Sequence, residues 1–467
     1  MTDSVVSMDL YPQPSAGHAK PWAFPAPDRG ILASGLTVLR CHRPGQQVVA
    51  VEICLDAPLD AEPDGLDGVA SIMAAALSQG TGQLTAEEFA AELERCGATL
   101  GSSADYLGAR VSLEVPASRL PRALGLLAAA LQAPTFAASE VERLVRNRLD
   151  AIPLELANPA RRAAKQLSQE LFPASARISR PRRGTPETVA RIDAAGVRAF
   201  YQAQVRPAAA TAVIVGDLTG VDLDTLLAGT LGEWAGQAAG PRAARPPAAN
   251  DTGRVIIVDR PGAVQTQLLA GRTGPDAHDP SWPTLVLGTY CLGGTLTSRL
   301  DRVLREEKGY TYGVRAAAQV LWSAAPNAAG GATGASLLAI SGSVDTASTG
   351  PALDDLRTVL RTLAAEGLTE AERDMAVQNL VGVAPLAYER AAAVAGTLAD
   401  QVEQHLSDDY QAQLYARLAA TPAAEASAAA VAAFPADRLV TILVGDAAQI
   451  RAPAEALGLG EVTVVPA

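Results

Sequence analysis

Apolar and polar positions change period several times along this chain. The run VVAVEICL at Val48–Leu55 is almost continuously apolar and rich in β-branched residues, which predicts a strand. Leu66, Val69, Ala70, Met73, Ala76 and Leu77 then recur at helical spacing and predict a buried helix over 66–79. Thr85-Ala-Glu-Glu88 is a capping box, with Leu84 and Phe89 placed as its hydrophobic staple. A helix should therefore run to about Cys96 and stop at Gly97. Residues 98–103 and 109–115 alternate like paired strands, 118–131 and the long stretch 139–170 read as helices, and TAVIVGDL closes the block as a strand. Strand, helix, helix, hairpin, helices, strand is the order of an α+β sandwich with helices packed on one face of a mainly antiparallel sheet.

That pattern occurs twice. Gly216-Asp217 and Gly445-Asp446 lie 229 positions apart, and Glu142-Arg143 and Glu372-Arg373 lie 230 apart. Near the start of each block an apolar strand meets an Arg-Pro-Gly turn, at Arg43-Pro44-Gly45 and Arg260-Pro261-Gly262. Three ordered matches at near-constant offset predict two homologous domains. The expected division is an N-terminal arm at 1–30, a first domain at 31–235, a Pro/Gly/Ala-rich linker at 236–253 and a second domain at 254–467. Gly330-Gly331 and Gly334 suggest a turn before the apolar run 337–341.

Composition narrows the function. With 467 residues, 48% of them hydrophobic, the chain can bury more than one core. A net charge of -12 and the lack of a dense Lys/Arg block disfavour nucleic acid or an anionic membrane as partner. The four cysteines, Cys41, Cys54, Cys96 and Cys291, are scattered with no CxxC pair, and are expected to be buried thiols in a reducing compartment. No basic-then-apolar leader opens the chain, and no apolar run approaches the roughly 20 residues of a membrane span. The expectation is a soluble cytoplasmic protein.

Asp64-Gly-Leu-Asp-Gly-Val-Ala-Ser-Ile-Met73, followed by Gly80-Thr81, resembles the zinc helix of pitrilysin/insulinase-type metallopeptidases. That helix normally carries an inverted H-x-x-E-H motif, whose histidines at i and i+4 share a helix face and chelate zinc while the Glu activates the bound water. Here the five positions read Gly68, Val69, Ala70, Ser71 and Ile72. The four histidines, His18, His42, His278 and His405, are isolated, and counting back from Asn158-Pro159 to the family's third ligand lands near Ala151, beside Asp150. The resemblance therefore implies no metal in this chain.

A second signature of the same family is present. Leu292-Gly293-Gly294-Thr-Leu-Thr-Ser-Arg299-Leu300 leads into Leu304-Arg305-Glu-Glu-Lys-Gly309-Tyr310-Thr-Tyr312-Gly313. It is similar to the family's glycine loop, helix and G-x-x-Y strand, whose Arg and Tyr map to Arg305 and Tyr312. Leu296, Leu300, Val303 and Leu304 form a helical core stripe, Arg305 sits off it, Gly309 ends the helix and Tyr312 starts a strand. A guanidinium and a phenol at such a junction can donate hydrogen bonds to a substrate carbonyl. The resemblance gives Tyr312 the oxyanion of the tetrahedral intermediate and Arg305 the peptide backbone. Arg299 is a substrate contact or a structural residue. Tyr310 shares a strand face with Tyr312 by period-two spacing, as a neighbour of the site or as core. Gly293 and Gly294 form a substrate-contacting loop or a helix-entry turn.

Family members enclose unfolded peptides between halves built from four such domains, in one chain or two. The resemblance implies the non-zinc subunit of a heterodimeric zinc metallopeptidase, inactive alone. Its partner would be a homologous chain carrying H-x-x-E-H and the zinc. The alternative is a catalytically inactive peptide-binding or scaffold protein, in a core complex or as a homodimer.

Overall fold

The structure, a computed structural model, describes residues 22–236, 249–323 and 334–466. Most of the expected arm and linker, and Gly330-Gly331, lie outside these residues. Among the described residues twelve strands form two six-stranded mixed sheets. The first contains β1 (Asp28–Ile31), β2 (Thr37–His42), β3 (Val48–Leu55), β4 (Thr99–Ala104), β5 (Ala109–Pro116) and β6 (Ala210–Gly216), in the order β1-β2-β6-β3-β5-β4. The second contains β7 (Arg254–Asp259), β8 (Gln265–Gly274), β9 (Thr311–Trp322), β10 (Ala335–Asp345), β11 (Val440–Gly445) and β12 (Val462–Pro466), in the order β12-β7-β11-β8-β10-β9. Five strands correspond one to one. The sixth position is filled from opposite ends of the repeat, by β1 antiparallel to β2 and by β12 parallel to β7.

The repeated sequence motifs have a shared structural cause. In each half the closing strand ends in Gly-Asp beside the Arg-Pro-Gly turn. Gly216 O accepts from Arg43 N and Gly445 O from Arg260 N, each at 2.8 Å. The Asp217 carboxylate then accepts from Gly45 N (2.8 Å), and Asp446 from Gly262 N (3.2 Å). Both turn glycines have positive φ, 82° and 76°, a conformation that a Cβ disfavours.

Local signals place most elements of the first half. The strand at Val48–Leu55 is as expected, and the capping box forms, with Thr85 Oγ1 accepting from Glu88 N (3.2 Å) and Thr85 N donating to Glu88 Oε2 (2.9 Å). That helix spans Ala86–Cys96 and stops at Gly97, φ 61°. The helix expected over 66–79 is shorter, Val69–Ala76, because Gly68 turns the chain with φ 104°. The stretch 139–170 is two helices, Ala138–Ala157 and Pro159–Leu171. Asn158 is extended ahead of Pro159, and its side chain accepts from Arg161 N at 3.1 Å, so it caps the second helix.

This break matters for the tertiary arrangement. Each sheet is covered on one face by helices of its own half. Helix Pro159–Leu171 leaves the first half and packs on β8 and β11 of the second sheet. Helix Ala391–Glu403, 232 positions later, packs on β3 and β6 of the first. Val394, Ala395, Leu398 and Ala399 thus bury the far side of the first sheet against Leu39, Cys41, Cys54 and Val213. Each half supplies the lid for the other's sheet, so the chain is held by exchange of equivalent helices. The four cysteines are buried free thiols. No helix among the described residues is long and apolar enough to cross a membrane.

Candidate functional site

In the first half the place of the zinc motif is filled by protein. The N–H groups of Gly68 and Ala70, which open helix Val69–Ala76, both donate to the Glu62 carboxylate (2.9 and 3.0 Å). Glu62 is paired with Arg177 at 2.7 Å, and Asp67 with Arg180 at 2.6 Å, in a largely buried ionic cluster. Burial pushes the Glu62 carboxyl up; the Arg177 charge and the two N–H groups oppose that. A Cβ on Gly68 would stand 2.9 Å from Arg183 O, and one on Gly184 would stand 2.1 Å from Asp67 O. The segment 180–184 is therefore pressed onto the start of the helix. Asp150 is exposed, whereas Arg148 is buried and donates from Nε to Arg183 O at 3.0 Å. Arg148 is thus the side chain of the long helix that reaches this spot, and it is a cation. Val69, Ala70 and Ile72 are buried apolar residues. This place does not fit a zinc ion: positions 68–72 offer no imidazole or carboxylate, the Glu62 and Asp67 carboxylates are taken by Arg177 and Arg180, and a side chain at Gly68 would meet backbone.

The second half holds the Arg/Tyr segment. Arg299–Asp301 is helical and continues into a wider-wound turn at Arg302–Glu307, where Lys308 N donates to Val303 O five residues back (3.1 Å). Gly309, φ 68°, reverses the chain; its N–H donates to Arg305 O (3.0 Å) and that of Tyr310 to Leu304 O (2.9 Å). Arg305 and Tyr312 therefore flank one tight turn. The Arg305 side chain is about one-third exposed and rests against Glu306 at 3.2 Å.

Tyr312 owes its direction to a β-bulge. Thr311 is registered with Val344, and Val314 with Gly342, so Tyr312 and Gly313 together face Ser343 alone. Thr311 Oγ1 donates to Ser343 O (2.7 Å) and accepts from Gly313 N (3.0 Å), which fixes the extra residue. In a regular strand Tyr312 would share the inward face of Val314 and Ala316, both buried. With the bulge it is 92% exposed. The shared strand face expected for Tyr310 and Tyr312 does not form. Tyr310 precedes the strand and is half-buried against the second core.

The remaining residues of the segment build the platform. Arg299 is buried, with Nε and Nη2 on the Glu372 carboxylate (2.5 and 2.8 Å) and Nη2 also on Gly367 O (2.6 Å). Burial opposes the Glu372 charge, but Arg299 and the Thr369 N–H and hydroxyl outweigh it and hold the carboxyl at about 2. Gly293 and Gly294 end helix Trp282–Gly293 rather than open a helix. A Cβ on Gly293 would lie 2.4 Å from Ala316 N, and one on Gly294 2.4 Å from the Tyr290 ring. Both allow close approach to neighbours.

Asp301 was missed by sequence reasoning. It is fully buried, accepts from Val314 N at 2.7 Å and is paired with Arg315, which ties the helix to the strand just beyond the bulge. Its signal was an acid directly beside Leu300 on the core stripe, with Arg at 299 and 302.

The comparisons agree with this geometry. A family model described as Insulinase (Peptidase family M16) matches residues 37–175, and one described as Peptidase M16 inactive domain matches residues 191–380. An uncharacterized zinc protease of Mycobacterium leprae is 25% identical over 360 residues, 76% of this chain and 77% of that protein. Among solved structures, a peptidase M16 inactive domain from Pseudomonas fluorescens superposes with a TM-score of 0.79 at 22% identity, covering 90% of this chain and 98% of the other. A protease from Helicobacter pylori gives 0.79 at 16% identity, covering 90% and 100%. Two matched models of one family, in chain order along the two halves, and the absence of ligands at 68–72 lead to one conclusion: the chain belongs to the pitrilysin/insulinase (M16) peptidase family and lacks its zinc motif.

Proposed function

We propose that this chain is the non-zinc subunit of a two-chain M16 peptidase, and that it presents Arg305 and Tyr312 to a peptide cleaved at zinc in a homologous partner. The observation that carries the reading is Tyr312 itself. A bulge turns a large aromatic residue out to 92% exposure at the start of β9, which ends the sheet. Exposing a phenol in this way gains nothing for folding, while the side of β9 that pairs with no strand among the described residues suits strand addition by an extended peptide. In this reading the peptide lies along that edge, Tyr312 donates to the developing oxyanion and Arg305 to a backbone carbonyl. Zinc in the partner supplies the activated water.

The test is a native pull-down of the tagged chain followed by reconstitution. A near-stoichiometric partner of similar length containing H-x-x-E-H, with peptidase activity only when both chains are present, is the expected result. Recovery of the chain alone or with copies of itself would replace the proposal with a binding or scaffold role.

A further inference from the structure

Beside the filled zinc position lies a cavity of about 360 Å³ between the halves. Its walls bring together Arg148, Arg161, Lys165, Arg180, Arg182 and Arg183 in a chain whose net charge is -12. The compensation is thin. Glu155 alone faces Arg148, Arg161 and Arg183, at 2.8, 3.2 and 3.8 Å, and Asp67 takes Arg180. Arg182 lies over the Tyr106 ring, 5.3 Å from its centroid, and Lys165 has no carboxylate within ion-pair distance among the described residues. Burial, reinforced by the charge of Arg162 and opposed in part by that of Glu187, lowers the Lys165 pKa, so the ammonium sits where an added anion would stabilise it. Apolar side chains share the lining, Ile152 and Leu156 on the same helix as Arg148, and Leu321 and Leu337 from β9 and β10.

We infer that this cavity binds the C-terminal carboxylate of a peptide whose last side chain is apolar. A lining that sets cations beside aliphatic side chains matches a group that is anionic at one atom set and apolar next to it. The volume is near the lower end of the roughly 300–1,000 Å³ of small-ligand sites, which suits a chain end rather than a strand passing through. Arg161 and Arg183 are each more than half exposed and stand at the entrance, within reach of the incoming charge.

The inference rests on the peptide-binding reading above for the class of ligand, and its test needs neither partner nor turnover, so the two can fail separately. Fluorescence anisotropy on the full chain would compare a fluorescein-labelled heptapeptide ending in Leu with a free carboxylate, the same peptide as its C-terminal amide, and a free-acid peptide ending in Asn. The Leu acid is expected to bind at least tenfold tighter than either, and the margin over the amide should shrink as salt rises. Arg161→Gln with Lys165→Gln should bring the acid down to the amide, while Lys165→Arg alone keeps most of the preference. Equal binding of acid and amide, equal binding of Leu and Asn acids, or a preference that survives the double substitution would overturn the assignment. Displacement by inorganic phosphate at the concentration of the peptide would do so too, by showing a site for small anions.

Discussion

Cys54 and Gly271 occupy equivalent places in the two sheets, and each faces the helix that the other half contributes. Cys54 on β3 is registered with Thr211 on β6; Gly271 on β8 is registered with Val440 on β11, 229 positions beyond Thr211. The Cys54 thiol points to Ala399 O at 3.8 Å, and a Cβ on Gly271 would lie 3.1 Å from Leu167 Cδ2. Leu167 and Ala399 are themselves 232 positions apart, at matching points of the exchanged helices. Small meets large in opposite senses: Cys54 against Ala399, Gly271 against Leu167.

Gly271→Val should therefore destabilise the chain by about 1–3 kcal/mol, the usual range for overpacking. The new Cβ would also stand 2.9 Å from Leu338 O, a backbone atom with little freedom to move. Thermal unfolding checks it; an unchanged Tm would show that the seam between helix and sheet is slack.

Tyr312→Phe in the reconstituted complex should lower kcat about 10²–10³-fold with assembly intact, as loss of one oxyanion donor typically does. Deletion of Gly313 should lose as much activity with the phenol still present, because a regular strand would turn Tyr312 toward the core. Full turnover in both variants would remove Tyr312 from the reaction.

Arg299 and Glu372 give a pH signature. The Glu372 carboxyl is held at about 2, below its ordinary 4.5, so its contribution is complete above about 4.5 and is lost as pH falls toward 2. Glu372→Gln should cost roughly 2 kcal/mol at neutral pH, the range for hydrogen bonds to charged groups. The deficit should narrow below pH 4.5. Parallel acid titrations of Tm for both proteins that never converge would contradict this.

Rebuilding the zinc motif in place, as Gly68→His, Ser71→Glu and Ile72→His, should yield a less stable protein without stoichiometric zinc. Gly68 has φ 104° and backbone oxygen at 2.9 Å, the long helix sends Arg148 rather than a carboxylate to the spot, and the nearby Glu62 carboxylate is held by Arg177 and two backbone N–H groups. Elemental analysis after dialysis against zinc decides it; one bound zinc per chain would show that the segment 180–184 yields.

Much of the fold was legible because its signals are local. The Thr85–Glu88 capping box, the Gly97 stop and the Gly-Asp and Arg-Pro-Gly pairs each act within a few bonds of the residues that encode them, or repeat at a fixed offset. The Arg305–Tyr312 spacing was legible for the same reason, since one turn at Gly309 joins them. Less legible was what each residue touches. Arg299 reads as one more arginine until Glu372 is found beside it, and Asp301 reads as surface until β9 closes over it.

The sequence by itself determined a duplicated α+β chain, because periodicity, capping and spacing are properties of neighbouring residues, and its resemblance to one family showed that the zinc motif is missing and pointed to Arg305 and Tyr312. The tertiary structure decided which sheet each exchanged helix covers, that a one-residue bulge turns Tyr312 outward, and that arginines from three separate stretches line one cavity. These depend on the register between strands and on contacts from tens to hundreds of positions apart, where a shift of one residue reverses a side chain and no local pattern records which partner is met.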